Sequence, residues 1–505
     1  MSTELYQTMS IHRRWLITAV VMAAALLQVI DTTIVNVALP HMQGSLSASS
    51  DEITWTLTSY MVASAIFMPL TGYLADRFGR KNYLFMSVLG FTVFSGLCGA
   101  STNLIEMVIF RLLQGIFGAA LVPLSQAILT DIFPPEERGK AMAIWGMGIM
   151  VGPILGPTLG GYLTDIASWR WTFYVNLPVG IATLLLMNVV PDSARKTRHM
   201  DWVGLGLLTL AIGGLQFVLD RGNMDDWFNA SSIQFATYFS AVGFLGFILY
   251  QISNTKTGIF DLAIFKDRNF TLSSIMLCCM GIAIYGTSVL QPLMMENLLN
   301  YPVLTTGLII APRGISSMIS MMIISKITNR VDARWMILSG SFISFYGVWV
   351  CTQYSTNINM FWLTWPMLLQ GFGIGMIMVP LSTTAFSTLP AHLRTDAAGV
   401  FSLLRTIGGS IGISITITLF SRREQLFWNG LGGGITMFNP AVAHYLQPLH
   451  VSPTSPLGGA VLSLVLEQQA AMLAYVNAFA FNAWMFLLII PIAIFLKKSL
   501  HAKPH

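Results

Sequence analysis

The sequence predicts an all-α integral membrane protein of two six-helix bundles plus two inserted helices, and three observations lead to this fold class. The 505 residues are 54% hydrophobic and only 10% charged, which leaves too little polar surface for a water-soluble globule. Apolar runs of about 20 residues, the length that crosses roughly 30 Å of hydrocarbon, recur along the whole chain. Basic residues collect in alternate short segments between these runs.

The apolar runs predict about fourteen transmembrane helices. We place them near residues 15–40, 53–75, 82–101, 104–129, 140–164, 171–191, 202–220, 231–252, 270–296, 303–327, 335–354, 358–385, 396–420 and 474–496. The first run follows Arg13 and Arg14 and continues without a small-residue cleavage site. We therefore interpret it as a retained helix and not as a signal peptide.

The basic residues also predict the orientation of the chain. With the N-terminus inside, the cytoplasmic segments contain 20 of the 27 lysines and arginines. The outer segments contain Arg170, Arg221, Arg422 and Arg423, and three arginines lie within predicted helices. Both termini are thus expected in the cytoplasm, and the net charge of +5 is interpreted as membrane topology and not as nucleic-acid binding. The four cysteines lie in apolar runs without metal-ligand spacing, so we expect no metal site.

The chain repeats itself at a constant offset. The stretch at residues 112–115, Leu-Leu-Gln-Gly, returns at residues 368–371, which is 256 residues later. The same offset relates Pro134 to Pro390, Arg138 to Arg394, Gly152 to Gly408 and Gly156 to Gly412. We therefore predict two homologous six-helix halves, residues 1–192 and 270–505, with two inserted helices at 193–269 and one long outer loop at 422–470. Parallel repeats around a central path are typical of an alternating-access transporter.

The loop after the second helix has an unusual composition. Residues 72–81 read Gly-Tyr-Leu-Ala-Asp-Arg-Phe-Gly-Arg-Lys. Glycine permits tight turning between helix ends, and Asp76 can hold arginines or a helix terminus as a cytoplasmic latch. The candidate latch residues are Gly72, Asp76, Arg77, Gly79 and Arg80. An ordinary positive-inside loop would explain the basic residues but neither Asp76 nor the glycine spacing.

Two charged residues are predicted at matching depth within the membrane, Asp31 in helix 1 and Arg111 in helix 4. Such charges are costly unless they are paired or wetted, and they are usually functional. One interpretation is a static ion pair that joins two helices. The other is that Asp31 exchanges a proton while Arg111 favours the ionised carboxylate in one state and releases it in another. Glu106, one turn nearer the outside, is a second proton-coupling candidate, unless it is only a solvated helix start.

Helix 5 carries a stripe of small residues. Gly148, Gly152, Gly156 and Gly160 recur at every fourth position, which places them on one helical face that another helix can approach closely. Pro153 would loosen this helix and permit bending. Close packing alone would explain the stripe. The functional alternative is that this face seals or slides during alternating access.

The second half places Arg313 and Arg405 in mid-membrane without an acidic residue at their depth. Backbone carbonyls or water could satisfy them. A cavity with unpaired positive charge would instead favour anionic or weakly acidic amphiphiles. Together with Gln28 they are our candidates for a substrate cavity, whose apolar walls the 29 methionines and 31 phenylalanines would suit.

Residues 72–81 resemble the signature loop of the major facilitator superfamily. Residues 31–40, 111–115, 148–161 and 169–178 are similar to its fourteen-span drug:proton antiporter branch, and the likeness covers nearly the whole chain. The helix 5 stretch is similar to a motif associated with export. One departure is Asn477, which stands where family members often have an acidic residue and so weakens the case for a second proton site there.

The resemblance implies proton-coupled export of hydrophobic drugs or other toxic amphiphiles across a bacterial inner membrane. It also implies a periplasmic adaptor protein and an outer-membrane channel as partners, and no cofactor beyond the coupling proton. A dedicated exporter of one metabolite, such as a siderophore or a fatty acid, stays open. A membrane-embedded enzyme or receptor is the remaining class, but the sequence has no metal cluster, nucleophile constellation or phosphate loop to support it.

Overall fold

The computed structural model describes residues 9–134, 137–193, 195, 201–253, 260–328, 330–436, 438–452 and 455–497. All regular secondary structure in these residues is helical. The side chain of Pro153 and the basic residues Lys196, Arg198, Lys256, Lys498 and Lys503 lie outside the described part. The all-α class predicted from the sequence is confirmed.

Fourteen long helices occur within the described ranges, and we number them α1–α14 in chain order. Their bounds are Ile11–Ser45, Trp55–Phe78, Arg80–Ala100, Leu104–Ile132, Arg138–Ile166, Trp171–Val189, Trp202–Arg221, Ser231–Ser253, Arg268–Leu298, Val303–Ile327, Ala333–Gln353, Met360–Ser387, Arg394–Gly432 and Pro456–Ile494. Thirteen of them are long and apolar enough to cross a membrane. The remaining long helix is α5, which has 29 residues. We call the side where α1 begins and α14 ends the terminal face, and the opposite side the distal face.

Proline interrupts two of these helices where the later argument needs it. The middle of α2 tightens into a 3₁₀ turn, Met68–Leu70, that contains Pro69. In α4 the regular helix stops at Gly118 and resumes at Leu121, just ahead of Pro123. Because proline lacks an N–H and its ring clashes with the carbonyl four residues earlier, a break at this point is expected.

The same helix pairing occurs at both ends of the 256-residue offset. Gly152 of α5 packs against Val29 of α1, and Gly408 of α13 packs against the backbone of Cys278 in α9. Gly412, the equivalent of Gly156, likewise faces the backbone of α9. This recurrence supports the two-half organisation, whose limits at 192 and 270 stay a prediction.

The inserted pair, α7 and α8, packs together and also contacts two other helices. The Ser240 hydroxyl of α8 donates a hydrogen bond to the Ala211 carbonyl of α7, at 2.8 Å. On another side of α7, the ring of Phe217 lies 5.9 Å from that of Trp55 in α2. Gln216 of α7 donates to the hydroxyl of Ser410 in α13, at 3.0 Å. The pair therefore lies against both α2 and α13.

The predicted outer loop at 422–470 is wrong as a description of its structure, because most of it is helical. Helix α13 continues to Gly432, a short helix covers Pro440–Leu446, and α14 already begins at Pro456. Each of the two long helices has 39 residues, about twice what the hydrocarbon core requires. In α13 the predicted span ends where polar residues such as Arg422 and Arg423 begin, and these residues continue the helix. Helix α1 likewise runs past its predicted end to Ser45.

Candidate functional site

Asp31 and Arg111, which the sequence places at matching depth, form a direct ion pair. Nη1 of Arg111 lies 2.6 Å from Oδ2 of Asp31. Both residues have 0% exposure, so the pair is fully buried between α1 and α4. A buried pair of this kind is stable only if the remaining polar atoms also find partners, and removal of either charge would leave the other uncompensated.

Two amides supply those partners. Oδ1 of Asp31 accepts from Nε2 of Gln114 at 3.0 Å and from Nδ2 of Asn176 at 2.9 Å. Arg111 also donates from Nη1 to Oε1 of Gln114 at 2.9 Å, and from Nε to the carbonyl of Thr56 at 3.0 Å. Both oxygens of the carboxylate are therefore hydrogen-bonded, by side chains of α4 and α6.

Aromatic rings enclose the arginine. Its guanidinium carbon lies 4.3 Å from the ring centroid of Tyr60 and 5.6 Å from that of Phe173. Such contacts stabilise a cation in a dry environment. Nη2 of Arg111 and the hydroxyl of Tyr60 are nevertheless buried without a hydrogen-bond partner. The site thus keeps two unused donor groups next to the ion pair, where a bound water is expected.

Sequence reasoning missed Gln114 and Asn176 as site residues. Gln114 follows Arg111 by three positions, a spacing that places two side chains on the same helical face, so its involvement could have been inferred. Asn176 is a polar residue at the start of an apolar run, and Nδ2 also donates to the hydroxyl of Ser95 in α3, at 3.0 Å. The signal for Asn176 is weaker than that for Gln114, because nothing in the local sequence indicates which helix Asn176 faces.

Glu106 is not brought to the ion pair. Its Oε2 accepts from the N–H of Thr102 at 2.9 Å and from the hydroxyl of Thr102 at 3.0 Å. Asn103 accepts in turn from the N–H of Glu106, so the two residues cap the first turn of α4. The helix-start alternative describes Glu106, and its assignment to proton coupling finds no support in these contacts.

The glycine stripe of α5 packs on the part of α1 that carries Asp31. The stripe consists of Gly148, Gly152, Gly156 and Gly160, and each faces α1. A side chain at Gly152 would collide with Val29, and the Thr33 hydroxyl donates to the carbonyl of Gly152 at 3.1 Å. Since Val29 and Thr33 flank Asp31, close packing of the stripe fixes the backbone that presents the carboxylate.

A second ion-pair cluster joins α3, α4 and α13 at the terminal face. Arg80 pairs with Asp131 and also donates from Nη2 to the hydroxyl of Thr395, at 2.7 Å. Arg394 donates from Nη1 to the other oxygen of Asp131, at 3.1 Å. Asp131 therefore bridges one arginine from each side of the 256-residue repeat. Sequence reasoning missed it, although a carboxylate near a helix C-terminus is unfavourable and is a signal that a cation lies nearby.

The other predicted latch residues lie at the end of α2 and in the turn into α3. Gly72 of α2 abuts the side chain of Asp396 in α13, where a Cβ would collide. Gly79 has φ of +84°, a left-handed conformation that favours glycine and allows the sharp turn into α3. Arg77 is exposed and donates to the hydroxyl of Tyr73 within its own helix, at 2.9 Å. Asp76 is half-buried in the last turn of the same helix.

The three predicted cavity residues are not joined by hydrogen bonds to one another. Arg313 donates to Gln291 at 3.1 Å and to Ser288 at 2.9 Å, both in α9 and both neutral. The guanidinium of Arg405 lies 5.7 Å from the ring of Trp145 in α5. Among the described residues, no acidic side chain pairs with either arginine.

Gln28 has a local structural task. It is buried, and its Oε1 accepts the N–H of Val122 at 3.2 Å, at the point where α4 resumes after its break. The side chain therefore satisfies a backbone donor that the interrupted helix leaves free.

Fourteen long helices, a buried ion pair and a charged cluster at one membrane face define a polytopic membrane transporter. The chain matches the Major Facilitator Superfamily over residues 21–413 and belongs to this family. It is 38% identical over 432 residues to the probable multidrug resistance protein EmrY of Escherichia coli (strain K12), with 84% of each chain covered. It is 35% identical to the multidrug export protein EmrB of the same organism, with 94% of this chain and 93% of EmrB covered.

A further relative is the fatty acid resistance protein FarB of Neisseria gonorrhoeae, at 34% identity over 95% of each chain. Two solved structures share the fold at 15% identity. The human organic anion transporter MFSD10 (TETRAN) has a TM-score of 0.61 over 95% of this chain and 99% of its own. The proton:xylose symporter XylE has a TM-score of 0.61 over 95% of this chain and 96% of its own. The family resemblance inferred from the motifs is confirmed.

Proposed function

We propose that this protein is a secondary transporter that exports hydrophobic drugs or other toxic amphiphiles across a bacterial inner membrane in exchange for protons. The observation that carries the proposal is the fully buried Asp31–Arg111 pair inside a major facilitator fold. The similarity to the multidrug export protein EmrB and the probable multidrug resistance protein EmrY supports the substrate class.

The proton step follows from the hydrogen bonds of Asp31. A proton that arrives at Oδ2 replaces the charge-assisted bond to Arg111, while Oδ1 keeps its bonds to Gln114 and Asn176. The freed guanidinium retains the Thr56 carbonyl and the oxygen of Gln114 as acceptors. Protonation therefore removes the ionic attraction between α1 and α4 while the amide of Gln114 still bonds the carboxyl, and a change of this kind can shift an antiporter between its two states.

The cluster around Asp131 is proposed as the conformational latch, with Gly72 and Gly79 shaping its surroundings. It holds the terminal ends of α3 and α4 against α13. We assign the terminal face to the cytoplasm because the basic segments lie there. In this state the cytoplasmic ends are joined, so the substrate path would open toward the periplasm.

A cysteine introduced at Ser455 should then react with an impermeant reagent from the periplasm, and one at Lys196 should not. The opposite labelling pattern would invert the topology and with it the assigned direction of transport.

Substrate charge is a finer proposal. Among the described residues, Arg313 and Arg405 have only neutral partners or an aromatic ring, so a visiting carboxylate or phenolate would supply the missing counter-ion. We therefore propose that the transporter handles lipophilic acids better than lipophilic cations. FarB, which confers fatty acid resistance, supports the alternative of a dedicated exporter of one such acid.

A periplasmic adaptor and an outer-membrane channel are the proposed partners, and the distal extensions of α13 and α14 offer them a surface beyond the membrane.

The test of the export function is a substrate panel in everted membrane vesicles, with and without an imposed proton gradient. We expect accumulation of several hydrophobic compounds that collapses with the gradient. Accumulation of one acid alone would select the dedicated exporter, and accumulation that persists after collapse of the gradient would overturn proton coupling.

A further inference from the structure

The inserted helix α7 contains a half-buried carboxylate, Asp220, near its distal end. Oδ1 accepts from Nε2 of Gln216 at 3.1 Å, and the buried Oδ2 has no hydrogen bond of normal geometry, although the Thr58 side chain of α2 also interacts with the carboxyl. No basic side chain pairs with Asp220 in the described part of the chain. Asp220 therefore differs from Asp31, whose two oxygens accept three hydrogen bonds and face an arginine.

The charged groups nearest in the chain are engaged elsewhere. Arg221 pairs with Asp225 at 3.6 Å and stacks over Trp55 of α2, at 5.7 Å. The α2 segment Trp55–Phe67 has no acidic or basic side chain, and its one titratable group, Tyr60, lies against Arg111.

In the described part of the other helices packed against α7, which include Arg394, Arg422 and Arg423 of α13, no basic side chain forms an ion pair with Asp220. Helix α8 contains no acidic or basic residue; its Tyr238 is exposed, and its Tyr250 bonds to Asp201 at the terminal face. On α13 the guanidinium of Arg405 lies over Trp145. A carboxylate at the C-terminal end of a helix also meets the negative end of the helix dipole. What would balance Asp220 is a proton on Oδ2.

A single side chain connects this carboxyl to α13. Nε2 of Gln216 donates to Oδ1 of Asp220 and to the hydroxyl of Ser410, at 3.1 and 3.0 Å. An amide nitrogen has two N–H groups, so both bonds can exist at once. When the carboxyl is neutral, Oδ1 is a weaker acceptor, and the amide is freer to follow Ser410.

We propose that Asp220 is a proton-binding site of the inserted helix pair, and that Gln216 transmits its protonation state to α13. The proton comes from water at the distal face and binds Oδ2. The hydrogen bond from Gln216 to Oδ1 weakens, and no other bond is made or broken. The inference deepens the proposed proton coupling, since α13 also carries Arg394 of the terminal-face cluster. It does not require Asp31 to be the proton carrier.

Infrared difference spectroscopy on the full-length protein in lipid nanodiscs tests this directly. A pH step should produce a carboxylic C=O band that is lost in Asp220→Asn and unchanged in the matched control Asp225→Asn. Asparagine has nearly the same shape and keeps an acceptor for Gln216, so the variant should fold. Identical bands in the wild type and Asp220→Asn would overturn the proposal.

Transport in everted vesicles, with the lumenal pH varied at constant outside pH, gives the second readout. Asp220→Asn should lose part of the response to lumenal pH, Asp220→Glu should restore it, and Gln216→Leu should reproduce the loss although Asp220 is intact. A response identical to wild type in both Asp220→Asn and Gln216→Leu would contradict transmission to α13.

The Asp31→Asn variant separates the two ideas. If Asp31→Asn stays coupled while the Asp220 band persists, the proposed role of Asp31 fails and the inference on Asp220 stands. If Asp31→Asn loses coupling and the Asp220 variants match the wild type in both measurements, the reverse holds.

Discussion

The two halves of the repeat place equivalent glutamines in different electrostatic surroundings, charged in the first half and neutral in the second. Gln114 and Gln370 are related by the 256-residue offset, and each contacts a buried cysteine at 3.6 Å, Cys98 or Cys351. In the first half the glutamine bonds to a carboxylate and an arginine. In the second half it bonds to the neutral Gln291.

The position of the cation differs as well. The offset equivalent of Arg111 is Met367, which is fully buried, whereas the second-half arginine, Arg313, comes from α10 and bonds to neutral groups. One scaffold thus contains an internally neutralised pair in one half and an unneutralised cation in the other. The first arrangement suits an exchangeable proton, and the second suits an exchangeable anion.

Arg111→Met would make the first half resemble the second, and we expect the largest effect of any single change from it. Asp31 would be left buried without its cation, which typically costs about 3–5 kcal/mol. Folded protein recovered in detergent, measured by size-exclusion chromatography and thermal unfolding, should fall sharply. The double variant with Asp31→Asn should recover most of the loss. A stable Arg111→Met single variant would show that the pair is not needed for the fold.

Arg405→Gln and Arg313→Gln test the other side of the comparison. We expect export of lipophilic acids to fall about tenfold, which corresponds to roughly 1.4 kcal/mol and is within the range of a charge-assisted hydrogen bond. Export of lipophilic cations should be unchanged in vesicles matched for protein amount. Equal losses for acids and cations would indicate a structural role, and undiminished acid export from well-folded variants would dispose of the anion site.

The Asn176→Ala variant removes one neutral hydrogen-bond donor to Asp31 while the ion pair with Arg111 remains, and so sharpens the comparison of the two halves. Loss of a hydrogen bond to the ionised form favours the protonated form, so the midpoint of the pH dependence of efflux should move to higher pH. The half-buried Asn477, whose hydrogen bond among the described residues stays within α14, gives the control variant Asn477→Ala. A lower rate with an unmoved midpoint would mean that Asn176 only supports the fold.

We expect the smallest effect from a comparison of transport rates between the Arg80→Ala and Arg77→Ala variants. Arg80 bridges to Asp131 and Thr395, whereas Arg77 bonds only within α2 among the contacts described. Partly exposed ion pairs contribute at most about 1 kcal/mol, so a few-fold loss of transport is expected for Arg80 and little for Arg77. Equal effects would remove the distinction between a latch residue and a surface arginine.

The helix count and the pairing of Asp31 with Arg111 could be predicted because both depend on quantities that the sequence contains directly. Hydropathy gives the number of helices, and depth along each helix places two opposite charges at one level. The helical continuation of α13 was missed because hydropathy changes at the membrane boundary while helix formation does not.

Asn176 and Asp131 were missed for a different reason. Each meets its partners on other helices, and a single sequence does not tell which faces of neighbouring helices meet. The hydrogen bond of Gln28 to the helix break in α4 was also missed, since it depends on the contact between α1 and α4, and its place in a substrate cavity stays a prediction.

Asp31→Asn in proteoliposomes is the most direct measurement of the central claim, that this carboxylate carries the coupling proton. Asparagine keeps a hydrogen-bonding oxygen but cannot carry the proton. We predict that substrate binding and substrate–substrate exchange persist while proton-driven uphill export is lost. Uphill export at the wild-type rate in Asp31→Asn would contradict the claim and move the coupling site elsewhere in the molecule.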